Sequence, residues 1–273
     1  MLKSTHEVEV DGAVLAVEFV PGRQTQATPV VFLHAGIADS RMWDAQQAMT
    51  TEFRPTLRYD RRGFGATRIH RQAAHSLVGD LCAVLDAVGI ERALIVGCSQ
   101  GGRVALDLAL AMPGRAASLV LSAPAVSGAP VGVLEGSTRR LCNAIEVAEA
   151  AADVDGVNEL EAQLWLDGPE GPAGRVGGPA RGLFLDMNGK ALRSSAVGDV
   201  LEAPSAWDRL GDIHCPTLVL WGDLDLPHLK DRCEVLVQRI AGARRVVLAG
   251  VAHLPALEAP GRFNAELKAF FAT

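Results

Sequence analysis

The chain has 273 residues, a hydrophobic fraction of 49% and a formal charge of −6, so it can bury a large apolar core without a disulfide or metal to staple it. Its charge is spread along the sequence, with no basic block longer than a pair such as Arg139-Arg140, which argues against nucleic-acid and anionic-membrane partners. No apolar run reaches the roughly 18 residues of a membrane span, and the polar start from Met1 to Asp11 has no signal-peptide core, so a cytoplasmic location is expected.

Two alternating runs come first, His6 to Val10 and Ala13 to Phe19, joined by Asp11-Gly12. They predict an antiparallel hairpin at one edge of a sheet. Short continuous apolar runs then recur at Val30 to Leu33, Leu94 to Val96, Leu119 to Leu121, Leu218 to Leu220 and Val246 to Leu248. Each is too short for a helix and too continuous for a strand with one wet face, so they predict parallel strands covered on both sides. Helical patterns such as Leu77, Leu81, Val84, Leu85 and Val88 lie between them. The alternation predicts an α/β fold with a mostly parallel sheet of about eight strands flanked by helices. From Ala123 to about Ser205 the alternation stops, and Gly and Pro crowd Gly168 to Pro179. This stretch predicts a helical cap, residues 124–205, inserted into a core of residues 1–123 and 206–273. Its helices are expected around Gly136 to Ala152, Val157 to Leu166 and Ala180 to Leu192, with a mobile loop between the last two.

Gly97-Cys98-Ser99-Gln100-Gly101-Gly102 follows the Leu94 to Val96 strand and precedes the helical pattern Val104 to Ala111. A G-x-S-x-G sequence between strand and helix forces its serine into a strained turn above the sheet, and the flanking glycines leave room for the chains to cross. A serine acting only as a helix cap would not require glycines on both sides. Ser99 is therefore the expected nucleophile, and the Gln100 N–H at the helix start an expected oxyanion donor. Cys98 is expected to point away into packing. The five cysteines, Cys82, Cys98, Cys142, Cys215 and Cys233, show no CxxC spacing, so neither a zinc site nor a disulfide framework is expected, and no cofactor. Two later strand ends offer the partners a serine needs: Asp223 and Asp225 after Leu218 to Leu220, and His253 after Val246 to Leu248. A carboxylate bound to the imidazole Nδ1–H orients the other ring nitrogen as a base. His6, His70, His75, His214 and His228 lack that position, and His228, the nearest to the acid turn, is expected at the surface.

Taken together, His34-Ala35-Gly36, Asp60-Arg61-Arg62-Gly63-Phe64-Gly65, the serine turn, Trp221-Gly222-Asp223-Leu224-Asp225 and Gly250-Val251-Ala252-His253 resemble the α/β-hydrolase superfamily. The resemblance covers roughly residues 25 to 123 and 207 to 271 and lapses in the cap. It implies a triad of Ser99, Asp225 and His253, the W-G-x-x-D spacing favouring Asp225 over Asp223. It also implies that Gly36, or else Ile37, supplies the second oxyanion N–H beside Gln100, and that His34 and the Asp60 to Gly65 turn are structural. A phosphate site in that turn is disfavoured because Asp60 opposes an anion.

The resulting expectation is a serine esterase or lactonase acting through an acyl-enzyme on a small to medium, largely apolar substrate. Ile37, Trp165, Phe184 and Met187 are its expected pocket lining, with Arg181 or Arg193 as a possible anion clamp. Asp39 to Asp44 and Gly222 to Pro227 look most like the 3-oxoadipate enol-lactonase-like branch. The alternatives are a C–C bond hydrolase with the same triad and a non-hydrolytic receptor or lyase on the same fold.

Overall fold

Gly12 takes φ +81°, the left-handed conformation that a tight Asp-Gly turn demands, and it joins β1 (Ser4–Val10) to β2 (Ala13–Val20) in antiparallel register. The structure, a computed structural model, describes residues 4–272. The chain continues through β3 (Val30–Leu33), α1 (Asp44–Thr50), β4 (Thr56–Tyr59), β5 (Arg68–Ile69), α2 (Leu77–Ala87), β6 (Ala93–Cys98), α3 (Gln100–Ala111) and β7 (Ala116–Ser122). Next come α4 (Gly136–Ala150), α5 (Val154–Glu161), which runs on as π-helix over Ala162–Asp167, and α6 (Gly178–Leu192). It closes with β8 (Thr217–Gly222), α7 (Pro227–Arg239), β9 (Arg244–Leu248), α8 (Pro255–Glu258) and α9 (Pro260–Phe271).

The sheet runs β1-β2-β4-β3-β6-β7-β8-β9, with β5 paired to β2. From β4 to β9 every pairing is parallel, and the β2 pairings are antiparallel. The ninth strand is β5, whose two residues are too short to leave a periodic signal in the sequence. Successive strand residues face opposite sides. Val31, Leu33, Ile95, Leu119 and Val219 pack with the buried residues of α2, α3 and α7. Val30, Phe32, Val96, Val120 and Leu218 pack with Trp43, with Phe263 and Leu267 of α9, and with Phe184 and Met187 of α6. Both faces are dry, which is why the strands read as unbroken apolar runs, and each large side chain so buried contributes roughly 1.5–3 kcal/mol.

Residues 136–192 form helices and no strand. In the glycine-rich segment that follows the π-helical turn, the fully buried carboxylate of Asp167 accepts the N–H groups of Gly174 (2.7 Å) and Val176 (2.9 Å). Farther on, the chain returns to the core through a parallel bridge in which His75 N–H donates to Asp199 and Leu201 N–H to His75. Among the described residues, no helix is long and apolar enough to cross a membrane. The turns after β3, β4, β6, β8 and β9 all lie at the carboxyl edge of the parallel strands, where open α/β sheets gather their ligand-facing loops.

Candidate active site

Ser99 sits between β6 and α3 at φ 50°, ψ −115°, a conformation that costs a non-glycine residue about 1–3 kcal/mol. Neighbouring backbone holds it there. Ser99 N–H donates to Ser122 O (2.9 Å), and Ser99 O accepts Arg103 N–H (3.1 Å) and Ala125 N–H (2.9 Å). The flanking glycines are obligatory. A Cβ on Gly97 would lie 2.4 Å from Gly101 O, one on Gly101 2.1 Å from Leu33 O, and one on Gly102 2.6 Å from Pro124 Cβ. Ser99 is partly exposed, and among the described residues no hydrogen bond engages its Oγ. Cys98 is wholly buried, as expected of a packing residue. Burial pushes its thiol up to about 12, and its Sγ lies 3.8 Å from His253 O, so the neighbour of Ser99 touches the histidine turn.

The structure brings Asp225 and His253 together in a nearly water-free setting, with exposures of 2% and 1%. His253 Nδ1 and Asp225 Oδ2 are 2.9 Å apart. A carboxylate only accepts, so Nδ1 carries a proton and the ring is turned with Nε2 away from Asp225. Asp225 Oδ1 accepts Leu226 N–H (2.7 Å), which fixes the carboxylate plane. Asp223 is exposed and instead accepts Gly250 N–H (2.6 Å), lacing the β8 turn to the β9 turn. The α5 extension completes the cradle: Trp165 O accepts His253 N–H (3.2 Å), and the indole packs 4.8 Å from the imidazole. His228 is partly exposed at the start of α7, in a surface cleft with Pro130, Trp207 and Arg232 that holds none of the candidate-site residues.

On the other side of Ser99 lies the turn after β3. His34 is fully buried, and its Nε2 accepts Arg61 N–H (3.0 Å). The ring proton is therefore on Nδ1, which donates to Ala35 O (2.8 Å). Burial, followed by the charge of Arg61, holds His34 well below the usual histidine range, so it is neutral. This makes it a turn-bracing residue. Among the described residues, no acceptor takes the N–H of Gly36 or Ile37, and the Gln100 N–H is one of the helix-start donors without an intrahelical partner. Gly36 and Ile37 border a cavity of about 390 Å³ whose other walls include Phe64, Glu161, Asn188 and Val197. The Asp60 turn is built as a brace: Asp60 accepts Ser40 N–H and Ala66 N–H (both 2.8 Å), and Arg62 is held by Asp80.

These turns coincide with a match to the Alpha/beta hydrolase family over residues 30–266. The chain belongs to that family. A hydrolase from Pseudomonas aeruginosa PA01 superposes with a TM-score of 0.72 at 28% identity, covering 99% of this chain and 98% of its own. The 3-oxoadipate enol-lactonase 1 of Acinetobacter baylyi is 27% identical over 87% of this chain and 86% of its own. RutD of Caulobacter sp. (strain K31), provisionally named a carbamate hydrolase, is 37% identical, but this chain spans only 42% of its length.

The helical layer of this α/β hydrolase treats the remaining expected residues unequally. Trp165 and Ile37 stand at the site as described, whereas Phe184 and Met187 have 0% exposure and pack with Ala162 and Leu166 in the apolar cluster beneath it. They are core residues and do not border the cavity. Nor are the two arginines offered as anion clamps free for that task. Arg181 binds Asp167 (2.9 Å) and Glu159 (2.8 Å), and Arg193 binds Asp155 (2.5 Å). Arg175 went unnoticed in the sequence because it lies in the glycine-rich loop, yet it spans the layers. It donates to Leu166 O, Asp167 O and Gly250 O and pairs with Glu258 (2.5 Å), whose other oxygen accepts Ala252 N–H (2.8 Å).

Proposed function

We propose that this α/β hydrolase is a serine hydrolase that cleaves a carboxylic ester or lactone through an acyl-enzyme. The observation that carries the proposal is the buried Asp225–His253 pair (2.9 Å) after β8 and β9, at the same carboxyl edge of the sheet as the strained Ser99 after β6. In the proposed reaction His253 Nε2 takes the Ser99 proton as Oγ attacks the substrate carbonyl carbon. The N–H groups of Gln100 and Gly36, or Ile37 in place of Gly36, hold the resulting oxyanion. Collapse of the tetrahedral intermediate expels the alcohol, which takes its proton from His253; a lactone keeps that alcohol on the acyl chain. Water, deprotonated by His253, then attacks the acyl-enzyme, and the acid leaves as the proton returns to Ser99.

A small to medium, largely apolar substrate fits the Ile37, Phe64, Leu192 and Val197 walls of the cavity of about 390 Å³ beside the β3 turn, which also carries Arg62, Glu161 and Asn188 and does not include Ser99 or His253 among its lining residues. The enol-lactonase relative from Acinetobacter baylyi supports lactones as the first class to try. C–C cleavage of an enolate is the weaker alternative, because Arg181 is already paired with the buried Asp167 and with Glu159, and Arg193 reaches the exposed Asp155. Ser99→Ala is expected to lower kcat for p-nitrophenyl acetate by about 10³-fold or more and to abolish labelling by a fluorophosphonate probe. Hydrolysis at the wild-type rate by this variant sinks the proposal.

A further inference from the structure

Arg61 and Arg62 are neighbours in sequence, and both are buried, at 3% and 5% exposure. Their surroundings differ sharply. Arg62 has a bidentate carboxylate, Asp80 (2.7 and 3.0 Å), and also donates to Asp11 O (2.6 Å). Arg61 pairs with no carboxylate among the described residues. Its guanidinium donates to His34 O (3.0 Å), Ala35 O (3.1 Å) and Gln100 Oε1, lies 5.0 Å from the Phe64 ring centre, and leaves Nε unpartnered. The 3.2 Å approach of Nη2 to His34 Nδ1 is a contact and not a hydrogen bond, because Nδ1 already holds the ring proton. Burial draws the Arg61 guanidinium down to about 10, so it stays charged at neutral pH.

An unpaired cation in a dry site is costly, and carbonyl dipoles repay only part of that cost. Buried groups so perturbed cluster at functional sites. Every polar group that Arg61 holds flanks the proposed oxyanion position: His34 and Ala35 lead directly into Gly36 and Ile37, and Gln100 directly follows Ser99. The Gln100 side chain also sits against Gly36, where a Cβ would come 3.1 Å from Oε1.

We propose that Arg61 is the positioning residue of the oxyanion site and that its charge is balanced only when the tetrahedral oxyanion forms. It draws the His34 and Ala35 carbonyls to its own side, which leaves the following N–H groups to the cavity. By clasping the Gln100 amide it keeps that side chain off the Gln100 N–H. A charge fixed in a low-dielectric site and compensated in the transition state alone favours that state over bound substrate. Its effect therefore falls on kcat.

This inference rests on the serine-hydrolase reading, and the experiment separates the two. Wild-type protein, Arg61→Met and Arg61→Lys are compared in p-nitrophenyl acetate kinetics and in binding of phenylboronic acid, which forms an anionic tetrahedral adduct with an activated serine. Arg61→Met is expected to lose about 10–100-fold in kcat with KM within about twofold, and to bind the boronate weaker by a similar factor. Arg61→Lys, which keeps the charge, is expected to recover most of the boronate affinity. If Arg61→Met does not fold, Arg61→Gln, which keeps donors without charge, takes its place. Unchanged kcat, a kcat loss with unchanged boronate affinity, or a Lys variant as impaired as Met overturns the role of Arg61. Failure of the wild type to bind the boronate at all overturns the serine reading instead.

Discussion

The serine turn and the helical layer above it are held in place by different kinds of contact. At the serine turn the constraint is backbone against backbone: Gly101 meets Leu33 O, Gly97 meets Gly101 O, and Ser99 is bonded to Ser122 and Ala125. Around α6 and its preceding loop much of the grip is side chains reaching across the sequence, Arg175 to Glu258 (2.5 Å) and Arg41 to Asp186 (2.7 Å), over an apolar underlayer. A backbone contact has no rotamer by which to yield, whereas a charged side chain can swing out and be hydrated. Ser99 is thus fixed rigidly, and the seating of the helical layer is open to adjustment by single polar changes.

Substitution tests this contrast at three strengths. Gly101→Ala is expected to be the most damaging, since its methyl would lie 2.1 Å from a strand carbonyl; a loss above about 4 kcal/mol in urea unfolding, with activity gone, is anticipated. Near-wild-type stability there would mean that the turn yields after all. Arg175→Met should come next. Its partner Glu258 is buried but Arg175 is itself 20% exposed, so the usual cost of breaking a buried pair is discounted to roughly 2–3 kcal/mol. A fall in kcat should accompany it, because Glu258 also holds the backbone beside His253. If kcat and the urea midpoint both stay put, the layer is seated by apolar packing alone. Asp186→Asn should matter least, below about 1 kcal/mol for so exposed a pair. Hydrogen bonds from Lys190, then Arg41, hold the Asp186 carboxyl below the usual carboxylate range. Its contribution is therefore present above the ordinary carboxylate pKa and lost as pH falls through the lowered value. Melting temperatures of wild type and variant should differ at neutral pH and converge as pH falls through the lowered value.

What sequence made legible follows the same division. The parallel sheet and the strand-turn-helix around Ser99 depend on short contiguous patterns, the apolar runs and the glycines, so they could be read one segment at a time. Asp225 over Asp223 followed only from the family resemblance, and the structure gives Asp223 a separate bond to Gly250. Phe184 and Met187 misled because an apolar residue at helical spacing looks the same whether it faces a ligand or a neighbouring helix. Arg61 was hidden for a related reason. Two consecutive arginines in a glycine turn look equivalent until Asp80, 18 positions away, is seen to bind only one of them.

The π-helical turn at Ala162–Asp167 turns residue count into geometry. A π turn holds one residue more than an α turn, and the carbonyls it redirects are the ones in use: Trp165 O receives His253, while Leu166 O and Asp167 O receive Arg175. The register of a whole helical layer over the histidine turn thus hangs on a single inserted position. Exchange of this helical layer between related hydrolases must therefore match the segment in length before it matches it in chemistry.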